Sequence, residues 1–135
     1  MKAVDTNVLC RFFVVDAEDA EAARQRPLAV AAMSGNIFVS VTVVLEFVWV
    51  LQGFYEFSRA DILKSLHALA GIEHVTLEDR SAVLMAIDAY AAGLDFADAL
   101  HLSRSARCSA LLTFDRRLAK RASTLALQPK LELLA

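Results

Sequence analysis

Four acids interrupt or end strongly apolar runs of this sequence. Asp5 follows Lys-Ala-Val, Glu46 stands between Leu45 and Phe47, Asp98 lies between Ala97 and Ala99, and Asp115 follows Leu-Leu-Thr-Phe. Burying an unpaired carboxylate in such surroundings is costly. A divalent cation supplies the missing partner, because Mg²⁺ is typically held by one or two carboxylates with waters and substrate phosphates. The ion also removes the repulsion between clustered acids. The chemistry implied is metal-dependent work on phosphodiesters.

Each acid also has a structural alternative. Asp5 in Asp-Thr-Asn and Asp115 before Arg-Arg can cap the helices that follow them. Asp95 and Asp98 are three apart and face the same way at a helix start, so Asp95 is assigned to capping or outer support and Asp98 to the site. Glu46 has fewer structural uses, since no base lies near it in sequence. Other chemistries find no support. His67, His74 and His101 lack metal or triad spacing, and neither GxSxG nor GxxxxGK[ST] occurs.

For these acids to meet, the chain must bring distant segments together. Short apolar strands are expected at residues 3–5, 37–40, 74–77 and 110–114, with an edge strand at 131–134 after Pro129. Helices are expected between them: one after Asp5, one over 17–33 bent or split by Pro27, then 41–52, from Ser58 through 70, 79–92, 96–107 and a basic one over 116–122. Alternating strands and helices give an α/β fold with a mainly parallel sheet and helices on both faces. Ligands collect at the C-terminal strand ends of such sheets, where Asp5 and Asp115 fall, and Glu46 and Asp98 on neighbouring helices would close the same crevice.

At 135 residues, 57% hydrophobic and 22% charged, the chain fits one domain, residues 1–135, with a real core. A net charge of -2 argues against gripping nucleic acid through bulk positive charge, though a local basic patch is compatible with it. Cys10 and Cys108 have no CxxC spacing and read as buried free thiols, which favours a reducing, cytoplasmic setting. Residues 37–54 approach the length of a membrane span, but the central Glu46 and the lack of a flanking basic cluster favour a buried strand followed by a core helix, with no membrane partner. The N-terminus lacks the apolar stretch of a secretory peptide.

Taken together, Asp5-Thr-Asn-Val-Leu with Arg11, Val41-Thr-Val-Val-Leu-Glu46-Phe-Val-Trp-Val-Leu, Asp95-Phe-Ala-Asp98-Ala-Leu-His and Leu112-Thr-Phe-Asp115-Arg-Arg-Leu resemble the PIN-domain ribonucleases, especially the VapC-type toxins. The resemblance spans essentially the whole chain. It implies an α/β/α sandwich, bound Mg²⁺ or Mn²⁺, endonucleolytic cleavage of RNA and neutralisation by a VapB-like antitoxin. Carried onto matching positions, it makes Asp5, Glu46, Asp98 and Asp115 the acidic, metal-holding site, with Asn7 and Thr113 as supporting polar groups. Arg11, Arg116, Arg117, Lys120 and Arg121 would then steer the RNA backbone, against the alternative of a solvated helix face. Trp49 and Tyr55 near the end of a hydrophobic helix suggest a homodimer. A Mg²⁺-dependent phosphotransfer or phosphatase domain competes with this reading, although Asn7 stands where a phosphatase-like DxD pair needs an acid. A catalytically inactive, antitoxin-binding PIN module is the third alternative.

Overall fold

The computed structural model describes residues 1–135, which form two compact units, Met1–Asp79 and Arg80–Ala135. The N-terminal unit runs β1 (Lys2–Ala3), α1 (Thr6–Phe13), α2 (Ala20–Ala32), β2 (Ile37–Val39), α3 (Val41–Gly53), α4 (Arg59–Ala70) and β3 (Val75–Leu77). Its three strands pair in parallel in the order β1-β2-β3, with Ala3 opposite Phe38 and Phe38 opposite Thr76. Val4 still donates to the Phe38 carbonyl at 3.3 Å, and Asp5 then leaves the ladder to start α1.

The apolar stretch from Ile37 resolves into a strand and a helix, as expected. Ser40 separates them: its hydroxyl accepts from the Val43 amide at 3.3 Å, and Glu78 Oε1 accepts from the Val41 amide at 2.8 Å, so two side chains satisfy the orphan donors of α3. Val41, Val44, Phe47, Val48 and Leu51 form the buried face of α3 and join Leu9, Ile62, Leu66 and Leu69 in the core. Ser58 opens α4 by accepting from the Asp61 amide at 3.2 Å.

Pro27 does not split α2, which continues through it from Ala20 to Ala32. Proline removes one backbone donor. The surrounding alanines are strong helix formers, and Asp19 caps the first turn through Glu21 and Ala22, so the helix tolerates the loss.

The C-terminal unit runs α5 (Arg80–Ala91), α6 (Phe96–Ser103), β4 (Ala110–Thr113), α7 (Arg116–Thr124) and β5 (Lys130–Leu133). Strands β4 and β5 pair in parallel, with Ala110 opposite Lys130 and Thr113 opposite Leu133. Helices α5 and α6 are joined edge-to-face by Tyr90 and Phe96, whose ring centroids are 5.7 Å apart. Between them Gly93 adopts φ +113, a conformation that favours glycine, and Arg121 Nη1 donates to its carbonyl at 2.5 Å.

Helix α6 ends at Ser103, short of the expected residue 107. The cause is local. Ser103 and Ser105 turn their hydroxyls back onto the carbonyls of Leu100 and His101, at 3.1 and 2.7 Å, offering the backbone an alternative to further helix. The turns that follow leave Cys108 exposed, so only Cys10 is the buried thiol expected of both. No helix is long and apolar enough to cross a membrane.

Candidate active site

In the N-terminal unit, Asp5 occupies the N-cap of α1 and accepts from the Val8 amide at 3.0 Å through Oδ1. Glu46 projects from α3 and accepts a hydrogen bond from the Thr6 hydroxyl. Thr6 is buried, so this bond fixes the start of α1 to the middle of α3 and holds the Glu46 carboxylate against the residue that follows Asp5. Sequence reasoning overlooked Thr6. Its signal was a hydroxyl directly after the capping acid, at the first helical position.

The premise that these acids are buried is corrected. Asp5, Glu46 and Asp115 are exposed, and Asp98 is half-buried. The run around Glu46 is apolar on both sides of α3, but only one side faces the core. Thr42, Glu46 and Trp49 lie on the other, with Trp49 72% exposed.

Asn7 and Arg11 line two cavities. One, of about 300 Å³, also includes Glu46 and Tyr55, and the other, of about 260 Å³, includes Asp5 and Gln25. Arg11 is committed inside the protein: Nε donates to Gln25 at 2.8 Å and Nη1 to the Tyr55 hydroxyl at 3.0 Å. Burial pushes the Tyr55 phenol above its ordinary range, with the Arg11 charge opposing. Arg11 is therefore a brace between α1, α2 and the end of α3. Beside it, burial pushes the Cys10 thiol up to about 11, with Arg11 again opposing.

In the C-terminal unit, Asp95 caps α6 by accepting from the Asp98 amide at 3.2 Å, the role assigned to it. Asp115 caps α7 by accepting from the Leu118 amide at 3.0 Å, and its own amide donates to Thr113 Oγ1 at 2.9 Å. Thr113 thus positions Asp115. Capping occupies Oδ1 and leaves the second carboxylate oxygen without a role in the cap.

Asp95, Asp98 and Asp115 share a cavity of about 190 Å³ with Arg117 and Arg121. Partial burial raises the Asp98 carboxyl above the usual range, the negative charges of Asp95 and Asp115 raise it further, and His101 opposes. Arg117 and Arg121 also line a cavity of about 510 Å³ with Lys120 and Thr124. Positions 117, 120, 121 and 124 fall on one face of α7. Arg116 does not join them, donating instead to the Ala135 carbonyl at 3.3 Å. His74 lies 2.7 Å from the Met33 carbonyl through Nε2, the packing role expected of it.

The donor chemistry suits a hard cation, since every candidate ligand is a carboxylate. No group of three or more His, Cys, Asp or Glu residues forms a metal cage. Mg²⁺ does not require one, because a pair of carboxylates with waters and substrate oxygens is its usual environment.

The PIN domain family matches residues 2–123, from β1 into the last turn of α7. No curated protein and no solved structure matches the chain.

Proposed function

Because the chain belongs to the PIN domain family, a nuclease fold, we propose that it is an endoribonuclease dependent on Mg²⁺ or Mn²⁺ and the toxin of a VapBC-type pair. The observation that carries this reading is the pairing of Asp98 and Asp115 in one cavity whose arginines continue along α7. Acids to hold a cation and bases to hold a phosphate backbone sit side by side.

The carboxylates that would hold the metal are Asp98 with Asp115 and Asp5 with Glu46. Bound there, a divalent ion supplies Lewis-acid stabilisation of phosphate charge and a more acidic water. The protein's own groups prepare the rest. Thr113 and the α7 cap fix Asp115, Asp95 fixes the first turn carrying Asp98, and Thr6 fixes Glu46. Arg117, Lys120 and Arg121 neutralise backbone phosphates of the RNA. Water attacks the phosphorus in line, one ribose ester bond breaks, and the departing oxygen is protonated. Asp115, held by Thr113 and by its cap on α7, positions that water.

Residues 1–135 act as one PIN domain in this reading, supported by a family match that runs through both compact units. The exposed Trp49 supports a homodimer, whereas Tyr55 is engaged by Arg11. The VapB-like antitoxin and the cytoplasmic setting rest on the sequence resemblance and on the free cysteines.

The test is incubation of the purified, inhibitor-free chain with structured and unstructured RNAs in Mg²⁺ or Mn²⁺, beside Asp5→Asn and Asp98→Asn. The wild type should cleave and both variants should not. Equal cleavage by all three overturns the site, and a transient acyl-phosphate would transfer the chain to the phosphotransfer class.

A further inference from the structure

The cavity of about 300 Å³ beside Glu46 is lined by two unlike kinds of residue. Cys10, Val50, Phe54 and Tyr55 give it apolar, largely aromatic surface, and Thr6, Asn7, Arg11, Asp19 and Glu46 give it polar and charged groups. Glu46, Val50 and Phe54 recur every four residues, so one ridge of α3 runs from the acid to the aromatic wall. Phe54 is 71% exposed although it lines the cavity. Tyr55 stands edge-to-face against it, with ring centroids 4.9 Å apart and planes at 84°. The Tyr55 hydroxyl accepts from Arg11, which Gln25 holds in turn, so the ring that Phe54 packs against is held before any ligand arrives.

We propose that this cavity is a nucleobase pocket: it takes one unpaired base of single-stranded RNA, stacked on Phe54 with its hydrogen-bonding edge toward Asn7 and Glu46. The proposal rests on the endoribonuclease reading above. A base has apolar faces and a polar edge, the same division the cavity shows. Its volume lies at the lower end of small-ligand pockets and suits a single nucleoside rather than a duplex. In a duplex, moreover, the face and the edge are already used in stacking and pairing. The Asn7 amide both donates and accepts, whereas a carboxylate such as that of Glu46 only accepts. The pocket therefore favours bases that present an exocyclic amino group over uracil. An aliphatic side chain of a protein partner would leave the amide and carboxylate end unmatched.

Two measurements on the full chain test this. The first maps cleavage of a randomised single-stranded RNA pool in Mn²⁺. The wild type should enrich an amino-bearing base at one fixed position from the cut, Phe54→Ala and Asn7→Ala should flatten that position alone, and Phe54→Trp should restore it. The second measures binding of labelled RNA to the Asp98→Asn chain, with one base removed at that position or, where no cut is seen, at each position in turn. Losing the base, or the Phe54 ring, should weaken binding roughly 5- to 100-fold. Cleavage with an unchanged preference in both alanine variants overturns the pocket. So does equal binding of every abasic RNA, or a Phe54→Ala defect confined to capture of a protein partner. Absence of cleavage by the wild type overturns the endoribonuclease reading instead, and the abasic comparison still judges the pocket.

Discussion

The two compact units each carry a pair of acids at helix starts or on a packed helix, but they treat them oppositely. In the N-terminal unit, the Glu46 carboxylate is answered by a buried hydroxyl, and the cavity beside it is walled by aromatic rings braced on Arg11. In the C-terminal unit, Asp98 is answered by more negative charge: Asp95 and Asp115 add to the effect of burial in holding its proton. The first arrangement holds its carboxylate in place through a neutral donor. In the second, like charges face one another, a repulsion that a bound cation would relieve, and Arg117 and Arg121 line the same cavity. An acid's neighbours, more than its burial, separate these two uses.

The strongest way to break this contrast is Asp98→Asn. Cleavage should fall at least roughly 100-fold, because a metal-holding carboxylate is removed. Stability should hold or rise slightly, since the amide removes a charge its neighbours disfavour. Asp95→Asn, which keeps a good cap, should lose far less activity. Parallel cleavage assays and thermal melts decide it, and a clearly destabilised Asp98→Asn would mean the charge is already compensated in the free protein.

The same contrast appears in the cysteines, one to each unit. With its thiol pushed up to about 11 and 2% exposed, Cys10 presents almost no thiolate at pH 8, whereas Cys108 is exposed. Maleimide labelling should modify Cys108 at least roughly 100-fold faster than Cys10, followed by mass spectrometry of each peptide. The effect on stability has the same origin. The folded thiol holds its proton to higher pH than the unfolded one, so Cys10 stabilises the fold at neutral pH, and that contribution fades as pH rises from about 9 to about 11. Cys10→Ala should flatten the alkaline limb of the stability curve, and equal labelling of both thiols would show that the N-terminal core opens readily.

Most of this molecule was legible where a single residue type decides the outcome. Asp5, Ser58, Asp95 and Asp115 each announce a helix start, and each caps one. The acids of the candidate site were legible for a reason the structure revises. They drew notice as intrusions into apolar runs, yet three of them are exposed, because a helix as apolar as α3 still has an outward face that composition does not display. What stayed hidden depends on partners distant in sequence. The Thr6 bond to Glu46 spans forty positions, and the Arg11 bond to Tyr55 spans forty-four, giving Arg11 a bracing role that its sequence neighbours do not show. The absence of a split at Pro27 and the early end of α6 have one reason: local propensity is a weak prior, overridden by capping and packing at one site and by hydroxyl back-bonding at the other.

A smaller effect tests the arginines of the C-terminal unit. Arg117→Ala with Lys120→Ala should weaken RNA binding roughly 10-fold at low salt and reduce the slope of log K against log salt by about one for each phosphate no longer neutralised. Arg116→Ala, whose side chain is held at the Ala135 carbonyl, should change the slope little. Titration of single-stranded RNA at several salt concentrations separates these outcomes. An equal effect of Arg116 and Arg117 would return the basic helix to the status of a solvated face.

The smallest expected effect compares two threonines that each serve an acid. Thr6 is 7% exposed and donates to Glu46, so Thr6→Val removes a charge-assisted bond from a buried site and should cost about 1 to 2 kcal/mol. Thr113 is more accessible and accepts from the Asp115 amide, a bond that water can replace, so Thr113→Val should cost only a few tenths of a kcal/mol, on the order of other exposed substitutions. Chemical denaturation of both variants measures the difference. Under the proposed function and base pocket, Thr6 holds Glu46 and Thr113 positions Asp115, so Thr6→Val should alter base preference and Thr113→Val the metal concentration needed. Equal stability losses, or the same kinetic change in both, would mean that the two units do not divide these tasks.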